Sequence, residues 1–321
     1  RRMTQNPNYY NLQGLSHRHL SDHLSELVET VFSDLEQCKC IAVHEDELTC
    51  SPLNLAMIAA HYYVSYRTIE LFSKSLSAKT RIRALLDVVA NAAEFDSFEN
   101  RDLTVLNQLA ARIPHLSAST KHQQHNAANL LKKKKKKAHL ARIQLPAELA
   151  RDAEHVVRTA LRLVEAAVDV MSSNGWLMPA LAAMETSQML TQAVWAKDSA
   201  LKQIPHLSEA TDAFNAHKIN TVFDLMEMDA DARNQILVNA ARLTPAQIAH
   251  VAQFCNQYPN LELSYSVTAA ADKTWTGGAD NEPTCVTNKQ ISIQVRIERE
   301  DDDDETNNVI APYFPGPKTQ S

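Results

Sequence analysis

Glycine is almost missing from this chain. Five occur in 321 residues, at positions 14, 175, 277, 278 and 316. Phosphate-cradling loops need several glycines in one short window, so neither a GxxxxGK loop nor a dinucleotide fingerprint can be built here. Cysteine is sparse as well. There are five, an odd number with no CxxC pair, which argues for a reducing compartment rather than a disulfide framework. Long apolar runs are also lacking. The longest, around Leu53–Val64, is broken by Asn54 and His61 and falls short of the roughly 20 residues that span a bilayer. No signal-peptide pattern opens the chain, and Arg1-Arg2-Met3 reads as the interior of a longer polypeptide.

What is present is an ordinary folded composition, 45% hydrophobic and 22% charged, long enough for two or three domains. Net charge is −6, and without the six consecutive lysines Lys132–Lys137 it is −12, with 26 basic against 38 acidic residues. Charge therefore supplies no global attraction to nucleic acid, although a local basic face can still bind it. Three small clusters invite chemistry. Cys38, Cys40, His44 and Cys50 lie close in sequence, but their spacings match no standard zinc pattern, and ordinary thiols in a turn are expected. His61 and His139 sit among apolar helical neighbours, as core or surface histidines do. Glu227, Asp229 and Asp231 fit the acidic first turn of a helix better than a metal or acid–base site.

Periodicity organises the rest. Leu24, Leu27, Val28, Val31, Phe32 and Leu35 predict an amphipathic helix from Ser21, followed by a short strand at Cys40–Val43 and a polar turn through His44–Glu47. Ser51-Pro52 predicts a capped start for the next helix. Further helices are expected at Tyr66–Ser75, Lys79–Phe95, Asp102–Arg112, Asn126–Gln144, Pro146–Ser172 and Leu177–Ser199. The long Pro146–Ser172 segment is apolar around much of its circumference, which marks a helix central in its bundle. Asn174-Gly175 should end it with glycine in the left-handed position. Short helices follow at Glu209–His217, Thr221–Met226, Asp229–Asn239 and Thr244–Asn256, the last with Thr244 as N-cap and Pro245 in its first turn. After Tyr258-Pro259 the period becomes two, through Leu261, Leu263, Tyr265 and Val267, then Ile291, Ile293, Val295 and Ile297. The predicted fold is mainly α, with a partial winged helix before the bundle and a possibly truncated immunoglobulin-like β-sandwich after it. Residues 1–51 are expected to end the winged-helix unit, 52–200 to form the helical bundle, 201–257 the helix-loop-helix and 258–321 the partial immunoglobulin-like or fibronectin-type sandwich.

This order of parts resembles the Sec-sixty-three homology region of Ski-two-like helicases. The segments RRMTQNPNYYNLQG, PLNLAMIAAHYYVSYRTIELFS, VDVMSSNGWLMPALAAME, LKQIPHL, TVFDLMEM and VAQFCNQYPNLELSY are similar to the C-terminal cassette of the spliceosomal DExH RNA helicases of the U-five small nuclear ribonucleoprotein. Two stretches depart from that pattern, Asn91–Asp102 and the lysine tract within Leu130–Leu140. The tract reads as a solvated insertion, an error in the sequence, or an RNA grip.

The resemblance implies a nuclear, non-catalytic accessory and protein-interaction module of an ATP-dependent RNA helicase in pre-mRNA splicing. It implies that ATP and magnesium act in motor domains upstream of Arg1, so no cofactor, metal or catalytic residue is expected here. The implied partners are other domains of the parent helicase and spliceosomal proteins, with no membrane. It also implies that the long central helix lies at the motor's exit and touches the single strand. Arg151, His155, Arg158 and Arg162 share one stripe of that helix and are the candidate RNA contacts, tracking phosphates without reading sequence. The plainer reading is a solvated face on which Arg158 pairs with Glu154 or Glu165. Between Pro146 and Ser172 there is no aromatic residue for base stacking.

Overall fold

Apolar residues spaced for one helical face recur along most of the chain, and the computed structural model of the protein is accordingly mainly helical. It describes residues 2–10, 17–45, 49–96, 139–142, 147–269, 273–276, 290–299 and 310–316. The expected helices at Asp102–Arg112 and most of Asn126–Gln144, with the lysine tract, lie outside the described residues. The chain divides into two units, Arg1–Asp198 with Tyr313–Pro315, and Ser199–Pro312 with Gly316–Ser321.

The first unit runs α1 (Arg2–Gln5), α2 (His17–Gln37), β1 (Ile41–Val43), β2 (Cys50–Pro52), α3 (Asn54–Tyr62), α4 (Tyr66–Ser75), α5 (Ile82–Ala90), α6 (Ala147–Ser173) and α7 (Leu177–Gln192). Ser51 and Pro52 do not cap a helix as their types suggest. They form β2, antiparallel to β1 with Ile41 opposite Pro52, and α3 starts after Leu53 with no side-chain cap. A two-stranded ribbon tolerates a proline that lacks an N–H. Helix α5 is shorter than its pattern because the chain turns at Asn91 into a short 3-10 turn, Ala93–Phe95. That turn places Glu94 at the start of α4. Its Oε1 accepts from the Ser65 amide at 2.7 Å, and its Oε2 from the Thr68 hydroxyl, which itself accepts from the Ala93 amide at 2.9 Å.

Helix α6 is central, as its all-round apolar character predicts. Val156, Val157, Ala160, Leu161, Leu163, Val164, Ala166, Ala167, Val170 and Met171 are all buried. Ile69, Phe72, Leu85, Val89 and Phe95 from α4, α5 and the 3-10 turn pack with them, as do Ala180, Ala183 and Leu190 of α7. Alanines on α6 and α7 permit close approach of the two backbones. Between them Gly175 sits at φ +71°. Its amide bonds Ser172 O at 2.9 Å, the Trp176 amide bonds Met171 O at 3.0 Å, and the Trp176 side chain packs on the core, the complete glycine-terminated cap.

The second unit gathers α8 (Thr211–Ala216), α9 (Val222–Glu227), α10 (Ala230–Gln235), a π-turn at Ile236–Ala240 and α11 (Pro245–Asn256). They surround Leu201, Ile204, Phe214, Leu225, Leu237, Val251 and Phe254. Thr244 caps α11 in a reciprocal box with Gln247, and Thr221 caps α9 with Asp224. Asp229 caps α10 by accepting from the Asp231 amide at 3.1 Å. Strands β3 (Leu261–Ala269), β4 (Lys273–Thr276) and β5 (Ile291–Arg299) form an antiparallel sheet of order β4-β3-β5. The two alternating runs become β3 and β5, and between them β4 adds a third strand in which Trp275 pairs with Val267. Leu263, Tyr265, Val295 and Ile297 face one another in register across β3 and β5. They are exposed, Leu263 and Ile297 by 67% and 65%. An apolar sheet face of this kind is what a second sheet covers in a sandwich.

Candidate nucleic-acid interface

The buried side of α6 is closed to any ligand, so only its solvent-facing side can meet one. Between residues 151 and 164 the exposed side chains are Arg151, Glu154, His155, Arg158 and Arg162. The four candidate residues therefore do share one solvent-facing stripe, broken in sign only by Glu154. Helical rise separates Arg158 from Arg162 by about 6 Å along the axis. Among the described residues, no hydrogen bond or ion pair is made by the Arg151 or Arg162 side chain.

Arg158 is not held by a neighbouring glutamate. Neither Glu154 nor Glu165 is its hydrogen-bond partner; its Nε donates to the backbone carbonyl of Pro315, 157 positions away. The segment that brings this carbonyl, Tyr313–Pro315, belongs to the first unit. Phe314 packs on the bundle core, partly buried. The Tyr313 ring lies under the Arg142 guanidinium, 3.6 Å from its carbon to the ring centroid, a cation–π contact.

Arg142 and His139 form a turn that closes the end of α7. His139 Nε2 lies 2.8 Å from Leu190 O, and Arg142 donates from Nε to Ala193 O at 3.1 Å and from Nη2 to Gln192 O at 3.2 Å. These carbonyls are helix-end acceptors with no partner inside the helix, and a cation there also opposes the helix dipole. Because a carbonyl only accepts, His139 must carry its proton on Nε2. Burial, chiefly, and the nearby Arg142 push the His139 pKa below the usual histidine value, against the opposing pull of the Leu190 carbonyl. Leu140 between them is buried in the bundle core, so the chain is anchored three residues after the last lysine of the tract.

The other clusters resolve into structural roles. Cys38 and Cys40 are buried, and Cys50 is exposed. Burial, then a hydrogen bond to Glu70, pushes the Cys38 thiol up to about 11, and Glu70 also pairs with Lys74. His44 Nε2 is 2.7 Å from Ser51 Oγ. His61 is exposed, its ring edge-on to Tyr62. Among the described residues no group of three or more His, Cys, Asp or Glu could hold a metal ion, and no helix is long and apolar enough to cross a membrane. Arg142, Tyr313 and Pro315 escape sequence reasoning, since nothing local ties them to α6. The only signal is an aromatic pair between prolines, Pro312-Tyr-Phe-Pro315.

The family described as the Sec63 Brl domain matches residues 52–321. The chain belongs to that family. Ahead of this Brl region, residues 1–45, which include α2 and β1, match a winged helix-turn-helix domain. The chain is 52% identical over 98% of its length to the U5 small nuclear ribonucleoprotein 200 kDa helicase of Homo sapiens, covering 14% of that protein. It is 44% identical over 94% of its length to the DExH-box ATP-dependent RNA helicase DExH12 of Arabidopsis thaliana, covering 13%. A third relative, the activating signal cointegrator 1 complex subunit 3-like protein of Dictyostelium discoideum, is 40% identical over 99% of the chain and is covered to 14%. The Brl chain thus spans about one-seventh of the length of the curated relatives it matches.

Proposed function

We propose that this Brl chain is a non-catalytic accessory and protein-interaction module of a spliceosomal ATP-dependent RNA helicase in the nucleus. In this reading it regulates the motor and docks other splicing proteins, while ATP and magnesium act in the parent's motor domains. The observation that carries it is the end-to-end match at 52% identity to one stretch of a ribonucleoprotein helicase. The glycine-poor sequence supports it, having no loop able to cradle a nucleotide's phosphates. The test measures ATPase and unwinding rates of the parent helicase with and without this region, and ATPase of the region alone. Altered parent rates with no ATPase from the region are expected. Unchanged parent rates, or ATP turnover by the region alone, would overturn the reading.

A second reading is favoured by the stripe on α6, a solvent-facing row of Arg151, His155, Arg158 and Arg162 suited to a single strand's phosphates. Here the module guides RNA leaving the motor. Arg158→Glu with Arg162→Glu should lower single-stranded RNA affinity at least tenfold in a gel shift, and steepen in effect at low salt. Equal binding by wild type and double variant would remove the stripe from consideration.

A further inference from the structure

The strand-guiding stripe is not fully open in this structure. Its outer arginines, Arg151 and Arg162, face solvent, while the central one, Arg158, is tied to the Pro315 carbonyl. We propose that Tyr313–Pro315 is a displaceable latch over the basic stripe, occupying Arg158 until a single-stranded phosphodiester backbone takes its place. The inference rests on the strand-guiding reading.

Chemistry favours exchange at Arg158. A neutral carbonyl gives a guanidinium one acceptor, whereas a phosphate presents charged oxygens that the planar fork can meet in pairs. The carbonyl leaves the guanidinium charge uncancelled, so the closed latch still leaves the stripe attractive to an approaching strand. The latch itself is built to detach. It is held by three neighbouring residues through one ring contact, one partly buried phenyl group and one backbone carbonyl. The core beneath is built from side chains of α4 to α7, such as Phe72, Leu163 and Leu190, all fully buried. Pro312 and Pro315 stiffen the segment and so reduce the conformational entropy lost on reclosing. Gly316 follows at φ +116°, a conformation that other residues resist, so the chain turns directly after the latch at its most permissive residue type. Opening would free Arg158 alone, because Arg142 keeps its bonds to Ala193 and Gln192. Latch docking and strand binding at Arg158 exclude each other, so each must weaken the other by the same factor.

The test uses the whole 321-residue chain and a labelled oligouridylate in fluorescence anisotropy. Tyr313→Ala with Phe314→Ala opens the latch, and a thermal melt checks that the bundle remains folded. If the latch is closed nine-tenths of the time, opening it should tighten oligouridylate binding about tenfold, and Arg158→Gln should abolish that gain. A second measurement needs no variant: saturating oligouridylate should speed amide exchange at Phe314 in the wild-type chain. Equal or weaker binding by the opened variant, or unchanged Phe314 exchange while the wild type binds, overturns the latch alone. No binding by either protein overturns the strand-guiding reading and the latch with it.

Discussion

At the scale of single residues, the interior of the first unit depends on polar groups whose partners come from far along the chain. His139 is the clearest. Its neutral ring donates to Leu190 O, and burial holds its pKa below the ordinary value. A histidine with a lowered folded pKa contributes stability above its unfolded value of about 6.5, and the contribution is lost as pH falls through the folded value. His139→Gln keeps an N–H for Leu190 but cannot titrate. Urea denaturation midpoints measured between about pH 5 and pH 8 should therefore fall more steeply toward acid for wild type than for the variant. Identical acid limbs would show that folding does not lower the pKa of His139.

At the scale of elements, the ends matter more than the middles. The α6–α7 junction depends on Gly175 at φ +71°, where an added Cβ would meet nothing within 4 Å. Gly175→Ala should thus destabilise through backbone strain alone, by about 1–2 kcal/mol, read from chemical denaturation. Gly175→Asn should recover part of the loss, since asparagine tolerates the left-handed region. A loss well above that range would point to a clash that this structure does not contain. The element ends also separate what local sequence can and cannot announce. Thr244-Pro245 caps α11 as read, because a cap needs only the next three residues. Ser51-Pro52 carries the same local signal and becomes a strand, because β1 offers its backbone partners and a local signal cannot register that competitor.

At the scale of the molecule, each unit has its own core, so unfolding need not be one transition. Phe214 is fully buried in the second core, and Phe214→Ala should cost about 3–5 kcal/mol there. Trp176 and Trp195 pack on the first core, whereas Trp275 lies in β4. In a Trp275→Phe background, fluorescence then reports the first unit, and its midpoint should stay put while the second unit's share of the helical circular dichroism signal melts earlier. Coincident shifts of both signals would mean that the two cores unfold as one.

Much of the helical architecture was legible because burial on one face forces a 3.6-residue repeat, and α4 runs from Tyr66 to Ser75 as its pattern predicts. An apolar character around much of α6 agrees with the burial of Leu161, Leu163 and Val170, while Arg151, His155, Arg158 and Arg162 lie outside. Composition and periodicity are properties of neighbours, so the sequence by itself determined the mainly helical class, the central place of α6 and its basic stripe. Only the tertiary structure decided what meets that stripe. The Pro315 carbonyl at Arg158, the Tyr313 ring under Arg142 and the Glu94 carboxylate at the start of α4 join residues from 29 to more than 150 positions apart. Such pairings follow from how the chain closes on itself, which no local repeat encodes.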